Sequence, residues 1–379
     1  MTLDADVIIL GGGCAGLSLA LALADRAPAM RVKTLEARSH YERDRTWGFW
    51  NTAPHPFSAA VTHRWNSWRV RHAGTEARQR SRDYAYEYLP ADRFYELALD
   101  RIERTEQELA LGVEVRAVQK SGGACEVETD RGVLRSRWVF DSRAHAAQKV
   151  KPALFQRFTG WHVRTERPCF DATVVDLMDF QSSTERGRTM FFYVLPFSPT
   201  EALVEATYLD DPALPPAAAE AALRGRMQRL CGDTYEVLYR EAAALPMGGQ
   251  GGRTLSPGPV VDIGARGGRI KASSGYAFQR IQRQSAALAD ALARGVVLPR
   301  AFEPRFYGVL DRIFLQAVRR SPDQTANYFM AMFRNVTPET MIRFLSETAS
   351  PGEVLRVMLA LPKLDFIQAA VLPGGTICQ

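Results

Sequence analysis

The chain has 379 residues, of which 46% are hydrophobic, and it carries 48 Lys and Arg residues against 42 Asp and Glu residues. This length and composition exclude a disordered chain and predict two interleaved domains with a large buried core. The formal charge of +6 is spread along the chain without interleaved aromatic residues, which indicates a solvated basic face rather than a nucleic-acid-binding surface.

Secretion, membrane-spanning and metal-binding signals are not found in the sequence. No 18 apolar residues follow one another, and no basic segment precedes the short apolar run at residues 7–10. The five cysteines are scattered and odd in number, and the six histidines are not spaced as a metal-binding pair. We therefore expect reduced thiols, no metal site, and a cytoplasmic protein that is either soluble or membrane-peripheral.

The first predicted elements are a strand, a tight turn and a helix. Residues 6–10 form an apolar run of strand length, and residues 17–24 are rich in Ala and Leu. Between them lies the pattern G-x-G-x-x-G, made of Gly11, Gly12, Gly13, Cys14, Ala15 and Gly16. Its first glycine permits the turn, its second lets a pyrophosphate approach the backbone, and its third lets the helix pack on the strand. This pattern predicts a Rossmann-type dinucleotide-binding domain.

A second apolar strand at residues 32–35 ends at Glu36. The carboxylate follows the last glycine by about 20 residues, where it would accept a hydrogen bond from a ribose 2′-OH. Residues 45–50 then crowd aromatic side chains around Trp47 and Gly48 in what we interpret as a loop. Two interpretations of this loop stay open: it covers a flat cofactor ring, or it packs locally in the core.

In the next segments the chain is predicted to leave the first domain and then to return to it. Residues 55–88 carry short β-like runs, and apolar residues at near-helical spacing predict a helix from residue 90 to residue 112. A meander of strands follows at residues 113–139 and ends at Asp141. Because open α/β sheets bind ligands at the carboxyl ends of their strands, we expect Asp141 to lie at the cofactor site.

Four β-like segments between residues 155 and 208 predict an antiparallel sheet that forms a substrate domain. They cover residues 158–164, 172–180, 190–195 and 202–209, and a proline-containing hairpin at residues 196–200 joins the last two. Residues 216–245 are predicted to be helical.

The last part of the chain returns to the dinucleotide-binding domain. A β-branched run at residues 260–263 ends at Gly264, and Gly275 precedes an amphipathic helix with apolar residues at 278, 281, 288 and 292. The start of this helix carries no acidic residue, so it offers a second positive helix end to a cofactor.

Residues 303–379 are predicted to be helical, with an apolar stripe through residues 306–317 and a capping box at Ser350 and Glu353. The helix after this box is apolar nearly all round. We favour a core helix for it over a lipid-facing one.

These elements predict an α/β fold in which a Rossmann-type dinucleotide-binding domain is interleaved with an antiparallel-sheet substrate domain and followed by a helical tail. The first domain would contain residues 1–54, 86–150 and 255–298. The second would contain residues 55–85 and 151–254, and the tail residues 299–379.

Several segments together resemble the flavin-dependent lycopene β-cyclases of bacteria. They are residues 11–16 with Glu36, and residues 45–50, 140–143, 177–180, 192–199, 203–207 and 271–278. The match runs in consistent order from about residue 6 to residue 295. One departure is that many relatives carry two adjacent acids where this chain has Glu205 followed by Ala206, which leaves Glu205 alone.

The resemblance implies a flavoprotein isomerase that binds FAD, with NAD(P)H as the reductant of the flavin. It would convert ψ end groups of lycopene or γ-carotene into β-ionone rings without net redox change. Contact with a membrane as a peripheral protein follows from the insolubility of that substrate.

Ring formation requires an acid that protonates an unactivated double bond yet is itself protonated at neutral pH. If residues 202–209 form a strand, Glu205 shares one face with Leu203 and Thr207, and an apolar cavity there would raise the pKa of Glu205 by desolvation. We predict Glu205 as the general acid, with a surface charge as the alternative. Asp179 is a second candidate, as a proton relay or positioning group, or as a purely structural hydrogen-bonding residue.

Aromatic side chains near Glu205 could shield and stabilise a carbocation. Alternation places Phe191 and Tyr193 on one face of their strand, and residues 47–50 could supply the opposite wall. The alternative functions are an FAD-dependent monooxygenase or an isoprenoid reductase of the same architecture, and a non-catalytic dinucleotide-binding protein.

Overall fold

The computed structural model of the protein describes residues 2–143, 153–180, 188–210, 216–248, 258–299 and 302–371. The predicted domain boundaries near residues 150 and 255, and Cys378, lie outside these residues. The assignment of the remaining segments to two domains stays a prediction. The fold class is the predicted one, since three sheets and a set of helices form a mixed α/β structure.

The first sheet carries the glycine turn. Its strands are Ala5–Leu10 (β1), Val32–Glu36 (β2), Glu108–Leu111 (β8), Val115–Ser121 (β9), Ala124–Thr129 (β10), Gly132–Asp141 (β11) and Val260–Asp262 (β17). In the order β8-β2-β1-β11 the strands are parallel, β9 and β10 extend the sheet as an antiparallel meander, and β17 pairs in parallel with the end of β11. The predicted first strands, the meander and the return at residue 260 are confirmed.

Three helices pack on this sheet in one hydrophobic core, namely Cys14–Arg26 (α1), Ala91–Glu103 (α2) and Phe278–Ala293 (α4). The predicted apolar stripe of α4 is confirmed, because Phe278, Ile281, Leu288 and Leu292 are all buried. The predicted extension of α2 to residue 112 is wrong. The backbone N–H and hydroxyl of Thr105 both donate to the carbonyl of Ile102, and the chain then enters β8, which pairs with β2.

The second sheet forms the predicted antiparallel layer. Its strands are Ser67–His72 (β5), Thr75–Arg80 (β6), Leu154–Thr165 (β12), Val175–Asp179 (β13), Thr189–Ser198 (β14), Glu201–Asp210 (β15) and Tyr235–Met247 (β16). Their order is β16-β12-β15-β14-β13-β5-β6. All neighbours are antiparallel except β13 and β5, which run parallel. The four predicted segments are confirmed, and Pro196 lies inside β14 rather than in the turn.

The prediction that residues 216–245 are helical is wrong in its second half. The helix Pro216–Cys231 (α3) ends at Cys231, and the strand β16 follows. Although alanines at 242–244 favour a helix, β16 pairs with β12 from Tyr235 to Met247. Pairing of this length satisfies the backbone groups of β16 that face β12, and tertiary context then overrides helix propensity.

A third, smaller sheet joins the two large cores. It consists of Thr46–Trp50 (β3), His63–Trp65 (β4) and Tyr86–Pro90 (β7), in the order β3-β7-β4. The predicted loop at residues 45–50 is therefore wrong, because these residues pair with β7 along their whole length. Strand alternation sends Phe49 into the core of the first sheet and Trp50 into the core of the second.

The C-terminal region is helical, as predicted. Its helices are Arg305–Arg320 (α5), Thr325–Asn335 (α6), Pro338–Leu345 (α7), Pro351–Ala360 (α8) and Lys363–Val371 (α9), with a short 3-10 turn at Pro322–Gln324. The predicted apolar stripe of α5 is buried in part: Ala317 is buried and Ile313 and Phe314 pack against hydrophobic cores, but Phe306 and Val309 are each 44% exposed. Tyr307 and Asp311 are also buried, and Lys271 Nζ donates to Asp311 Oδ1 at 2.7 Å.

The capping box at Ser350 and Glu353 is confirmed. The prediction of a core helix for α8 is wrong for one of its faces. Val354 and Val357 are buried, but Leu355 and Leu359 are 54% and 58% exposed. Helix α9 also has exposed apolar side chains, namely Leu364, Ile367 and Val371. Within the described part of the chain, no helix is both long enough and apolar enough to span a bilayer.

Candidate active site

A cavity of about 890 Å³ extends from the glycine turn of the first sheet to the second sheet. Gly11, Gly13 and Glu36 line one end, and Tyr193 and Glu205 line the other. The wall between them includes the four residues of β3 from Trp47 to Trp50. The fold therefore brings the predicted dinucleotide site and the predicted general acid to one continuous space.

The glycine turn fits a pyrophosphate. Gly11 has φ of 90°, which favours glycine, and a Cβ atom on Gly16 would lie 1.9 Å from the carbonyl oxygen of Gly11. A Cβ atom on Gly13 would instead meet no atom within 4 Å. Among the described residues no side chain caps the start of α1, and its first turn has no acid. Its N–H groups are thus available to an anion at the open face of Gly13.

Glu36 lies at the predicted ribose position and is itself held in place. Its Oε2 atom accepts a 2.6 Å hydrogen bond from the N–H of Gly12, and the backbone N–H of Arg38 donates to Oε1 at 2.9 Å. Burial acts to raise the pKa of Glu36, but the hydrogen bonds and charge of Arg38 outweigh it and lower the pKa. Glu36 is therefore ionised and can accept further hydrogen bonds. Arg38, which also lines the cavity, was not predicted.

The other predicted cofactor residues lie around this end of the cavity. Asp141 is buried behind the lining and accepts hydrogen bonds from the N–H and guanidinium of Arg143, whose side chain reaches the cavity. Gly264 has φ of 60°, and a Cβ atom on it would lie 2.5 Å from Cβ of Ala15, so it lets the end of β17 approach α1. Gly275 lines the cavity just before α4.

The wall formed by β3 is aromatic and tightly packed. Gly48 is required there, because a Cβ atom on it would lie 2.5 Å from the hydroxyl oxygen of Tyr86. The ring of Trp50 contacts the rings of Tyr86 and Tyr276 edge to face, with centroids 5.2 and 5.8 Å apart. Trp47 lines the cavity and also packs on Phe94. The interpretation that residues 45–50 pack locally is thus confirmed for Trp47 and Trp50, whereas coverage of a cofactor ring stays a prediction.

Glu205 stands at the far end of the cavity, in a row of residues that crosses four strands. Its register neighbours are Tyr193 on β14 and Gly160 on β12, and Gly160 in turn pairs with Glu241 on β16. Residues paired in register point to the same face of a sheet. Because Gly160 has no side chain, the side chains of Glu205 and Glu241 approach each other across it: a Cβ atom built there would lie 3.0 Å from Cγ of Glu205 and 3.1 Å from Cγ of Glu241.

Glu205 therefore does have a second carboxyl group beside it, although the residue that follows it in the sequence is Ala206. Glu241 is 7% exposed, and its Oε2 atom accepts a 2.9 Å hydrogen bond from the hydroxyl of Thr46. Burial, together with the charge and hydrogen bond of Glu241, raises the pKa of Glu205 well above its ordinary value. An acid next to Glu205 in the sequence could not take this place, since position 206 points into the opposite core.

Glu241 was not predicted as a site residue, because the sequence predicts a helix over residues 216–245. A signal was present in the alternation of Tyr235, Val237 and Tyr239, which is typical of a strand. The signal stops at the alanines that follow Glu241.

Asp179 is not brought to the cavity. It is 1% exposed, and its Oδ2 atom accepts a 2.7 Å hydrogen bond from the guanidinium of Arg226 on α3. Arg71 lies 3.9 Å from the same oxygen. This environment is that of a buried ion pair between the second sheet and α3.

A smaller cavity of about 50 Å³ adjoins the large one, and the two share Trp50, Tyr193 and Tyr276. Its remaining lining is mainly apolar and includes Phe191 and Phe329. A small, mainly apolar space thus adjoins the end of the large cavity at which Tyr193 lies.

Comparison with known proteins gives a match over nearly the whole chain. A family model described as lycopene cyclase protein matches residues 6–371. A lycopene β-cyclase from Pantoea ananas is 25% identical over 387 residues, covering 96% of this chain and 96% of that protein. A lycopene β-cyclase from a Paracoccus strain is 25% identical over 403 residues, covering 95% of each chain.

Solved structures share the fold at lower identity. A geranylgeranyl bacteriochlorophyll reductase-like protein from Thermoplasma acidophilum superposes with a TM-score of 0.67 at 10% identity, covering 96% of this chain and 98% of that one. A variant of HpxO from Klebsiella pneumoniae, solved in complex with FAD, gives a TM-score of 0.65 at 14% identity, covering 94% and 99%.

Proposed function

Because this chain belongs to the lycopene cyclase family, we propose that it forms β-ionone rings from the ψ end groups of lycopene or γ-carotene, with Glu205 as the general acid. One observation supports this proposal most directly: the carboxyl group of Glu205 faces a cavity that the dinucleotide-binding turn also lines. A carboxylic acid kept neutral by its surroundings can deliver a proton inside an apolar cavity.

We propose FAD as the cofactor, with NAD(P)H as its reductant. Gly13 and the start of α1 would hold the pyrophosphate, and Glu36 the ribose. Of the other predicted cofactor residues, those that line the cavity are Gly11, Cys14, Ala15, Trp47, Gly48 and Gly275. Gly12, Gly16, Asp141 and Gly264 lie behind this lining and would shape the site without direct contact. When bound and reduced, the flavin supplies an electron-rich ring that favours positive charge nearby. The chain supplies the acid and the walls.

In the proposed reaction Glu205 transfers its proton to the terminal carbon–carbon double bond of the end group. A second double bond attacks the resulting cation, which closes the six-membered ring. A neighbouring ring carbon then loses a proton to form the ring double bond. One proton enters and one leaves, so the product is an isomer of the substrate and no electrons are transferred. Aromatic faces near Glu205, such as that of Tyr193, would favour the cation and exclude water.

We propose that the exposed apolar side chains of α8 and α9 contact the membrane that contains the substrate. Leu364 and Val371 are 74% and 72% exposed, and Leu359 on α8 is 58% exposed. Lys363 lies exposed beside them and could pair with anionic lipid headgroups. An interfacial position of this kind would give an insoluble polyene access without a spanning helix.

The test is conversion of lycopene in vesicles by the flavin-loaded protein with NAD(P)H under anaerobic conditions. We expect cyclised pigment, with far less than one nicotinamide oxidised per ring. Consumption of one nicotinamide per product molecule would instead favour the monooxygenase or isoprenoid reductase alternative, for which the shared fold is the supporting observation.

The matched variants for this assay lie on the same strand. Glu205→Gln should bind flavin normally and lose cyclisation by about 100-fold or more. Glu201→Gln serves as the control, because Glu201 pairs with His162 and does not line the cavity. Substantial cyclase activity in Glu205→Gln would contradict the role of Glu205.

A further inference from the structure

We propose that Glu241 is a positioning residue that keeps the reacting proton on Glu205 and takes part in its return after each ring closure. This inference rests on the proposed cyclase function, but its central claim concerns which of two carboxyl groups carries a proton. That claim can be measured without turnover.

The first argument is the register of the strands. Glu241, Gly160 and Glu205 occupy one row across β16, β12 and β15. The carboxyl groups are on strands that do not pair with each other, and they meet because the central strand has a glycine in that row. Glu205 lines the cavity, whereas Glu241 is buried behind it. Only Glu205, of the two, faces the space that a substrate would enter.

The second argument is the count of hydrogen-bond donors. Two carboxylates cannot hydrogen bond to each other unless one of them carries a proton. Oε2 of Glu241 already accepts from Thr46. No nitrogen or hydroxyl group of the described residues donates to Oε1 of Glu241, which is buried. The side chain that faces Glu241 across Gly160 is that of Glu205. A protonated carboxyl group of Glu205 would supply the missing donor, and Glu241 would then be the ionised member of the pair.

The surrounding charges favour the same assignment. Burial raises the pKa of Glu241 above its ordinary value, and hydrogen bonds with Glu205 and Thr46 and the charge of Arg43 limit this rise. For Glu205, burial and the charge of Glu241 both raise the pKa. The other titratable groups that interact with the pair are Tyr86, Tyr88, Tyr193 and Tyr239, and burial raises the pKa of all four tyrosines. They are neutral through the range in which the pair titrates.

This arrangement has a chemical consequence for the proposed reaction. Once Glu205 has passed its proton to the substrate carbon, the pair holds two negative charges beside the new cation. Two buried carboxylates favour positive charge in the transition state more than one does. They also attract the proton that the ring carbon loses. When that proton returns to Glu205, the pair is restored, and no co-reactant is needed.

The experiment compares infrared titrations and pH–rate profiles of the flavin-loaded protein and its variants. The difference spectrum between the unmutated protein and Glu205→Gln isolates the protonated carboxyl band of Glu205. We expect this band at neutral pH. In Glu241→Gln the like charge is lost, so the band and the alkaline limb of the activity should both titrate at least about one pH unit lower.

Two further variants make the result decisive. Glu236→Gln, an exposed site on the same strand, should leave both midpoints unchanged. Thr46→Val removes a hydrogen bond to the ionised partner, so the pair should titrate at higher pH, opposite to the effect of Glu241→Gln. If Glu241→Gln does not fold, Thr46→Val is used in its place. The unmutated protein and every variant contain the bound flavin. A titration of the flavin itself would therefore appear in all of them and would not produce a difference between them.

Each outcome separates this inference from the proposed function. If the unmutated protein does not cyclise lycopene, the proposed function fails while the infrared titration still reports on the pair. If cyclisation occurs but no protonated Glu205 is present at neutral pH, the role of Glu241 is overturned. Unchanged midpoints in Glu241→Gln, even with lower activity at every pH, would assign Glu241 a structural role only. If Thr46→Val is used in place of Glu241→Gln, an unchanged titration midpoint would likewise assign Glu241 a structural role only.

Discussion

A Cβ atom on Gly160 would lie 3.0 Å from Cγ of Glu205. It would lie 3.1 Å from Cγ of Glu241 on the other side. These distances are shorter than ordinary van der Waals contacts, so the glycine sets how closely the two carboxyl groups approach.

Gly160→Ala should therefore fold but separate the carboxyl pair. A shift of a few tenths of an ångström at a reacting group should reduce cyclisation roughly 10-fold. The measurement is initial cyclisation rate per flavin-loaded molecule. Gly308→Ala is the control, because a Cβ atom there meets no described atom within 4 Å and Ala favours the helix. Equal rates in the two variants would argue against this role of Gly160.

Two glycines of the turn should respond differently to alanine. Gly13→Ala adds a methyl group where no described atom lies within 4 Å, so folding should persist while flavin binding weakens. Gly16→Ala places Cβ against the carbonyl oxygen of Gly11 and should cost about 3 kcal/mol or more in the free energy of unfolding. Thermal unfolding of the flavin-free proteins and flavin titration would separate the effects. Normal flavin affinity in Gly13→Ala would count against a pyrophosphate at this position.

Asp179 should prove structural rather than catalytic. Asp179→Asn leaves the buried guanidinium of Arg226 without its carboxylate and should destabilise the protein by about 3–5 kcal/mol. Cyclisation per folded molecule should change little. Denaturant unfolding and rate per bound flavin measure the two quantities. A large loss of rate with unchanged stability would restore Asp179 as a candidate proton relay.

The exposed face of α8 and α9 should carry membrane affinity. Replacing Leu359, Leu364 and Ile367 together by Ser should weaken binding to anionic vesicles by roughly 100-fold, since each apolar side chain inserted into lipid contributes about 1 kcal/mol or more. Stability should stay close to normal because all three are more than half exposed. Val357→Ser, at a buried site of α8, is the control that should reduce stability instead. Unchanged vesicle binding in the triple variant would rule out this face.

Features that depend on residues close together in the sequence were predictable. The turn between β1 and α1 requires glycine at positions 11 and 16 for reasons within the turn itself. The buried stripe of α4 follows from helical periodicity, and the capping box of α8 joins Ser350 to a residue three positions away. Such interactions are fixed by local geometry, so the pattern of residues contains them.

The second carboxylate could not be predicted in this way. Whether residues 235–247 form a helix or a strand depends on β12, which lies far away in the chain and supplies the hydrogen bonds. Strand propensity is weak where alanines dominate, and pairing decides. Likewise, no local pattern indicates a role for Gly160. Its role depends on Glu205 and Glu241, which lie on the two strands that flank β12.

The pattern of residues was thus sufficient to predict the glycine turn, the α/β fold class and two candidate carboxylates, Glu205 and Asp179. That Glu205 lies beside a second carboxyl group depends on the three-dimensional pairing of strands, because a register shift of one residue in either β15 or β16 would send a carboxyl group to the opposite face of the sheet. The tertiary structure also decided that Asp179 faces Arg226 rather than the cavity. The local pattern defines which side chains are available, and the long-range pairing of strands defines which of them meet.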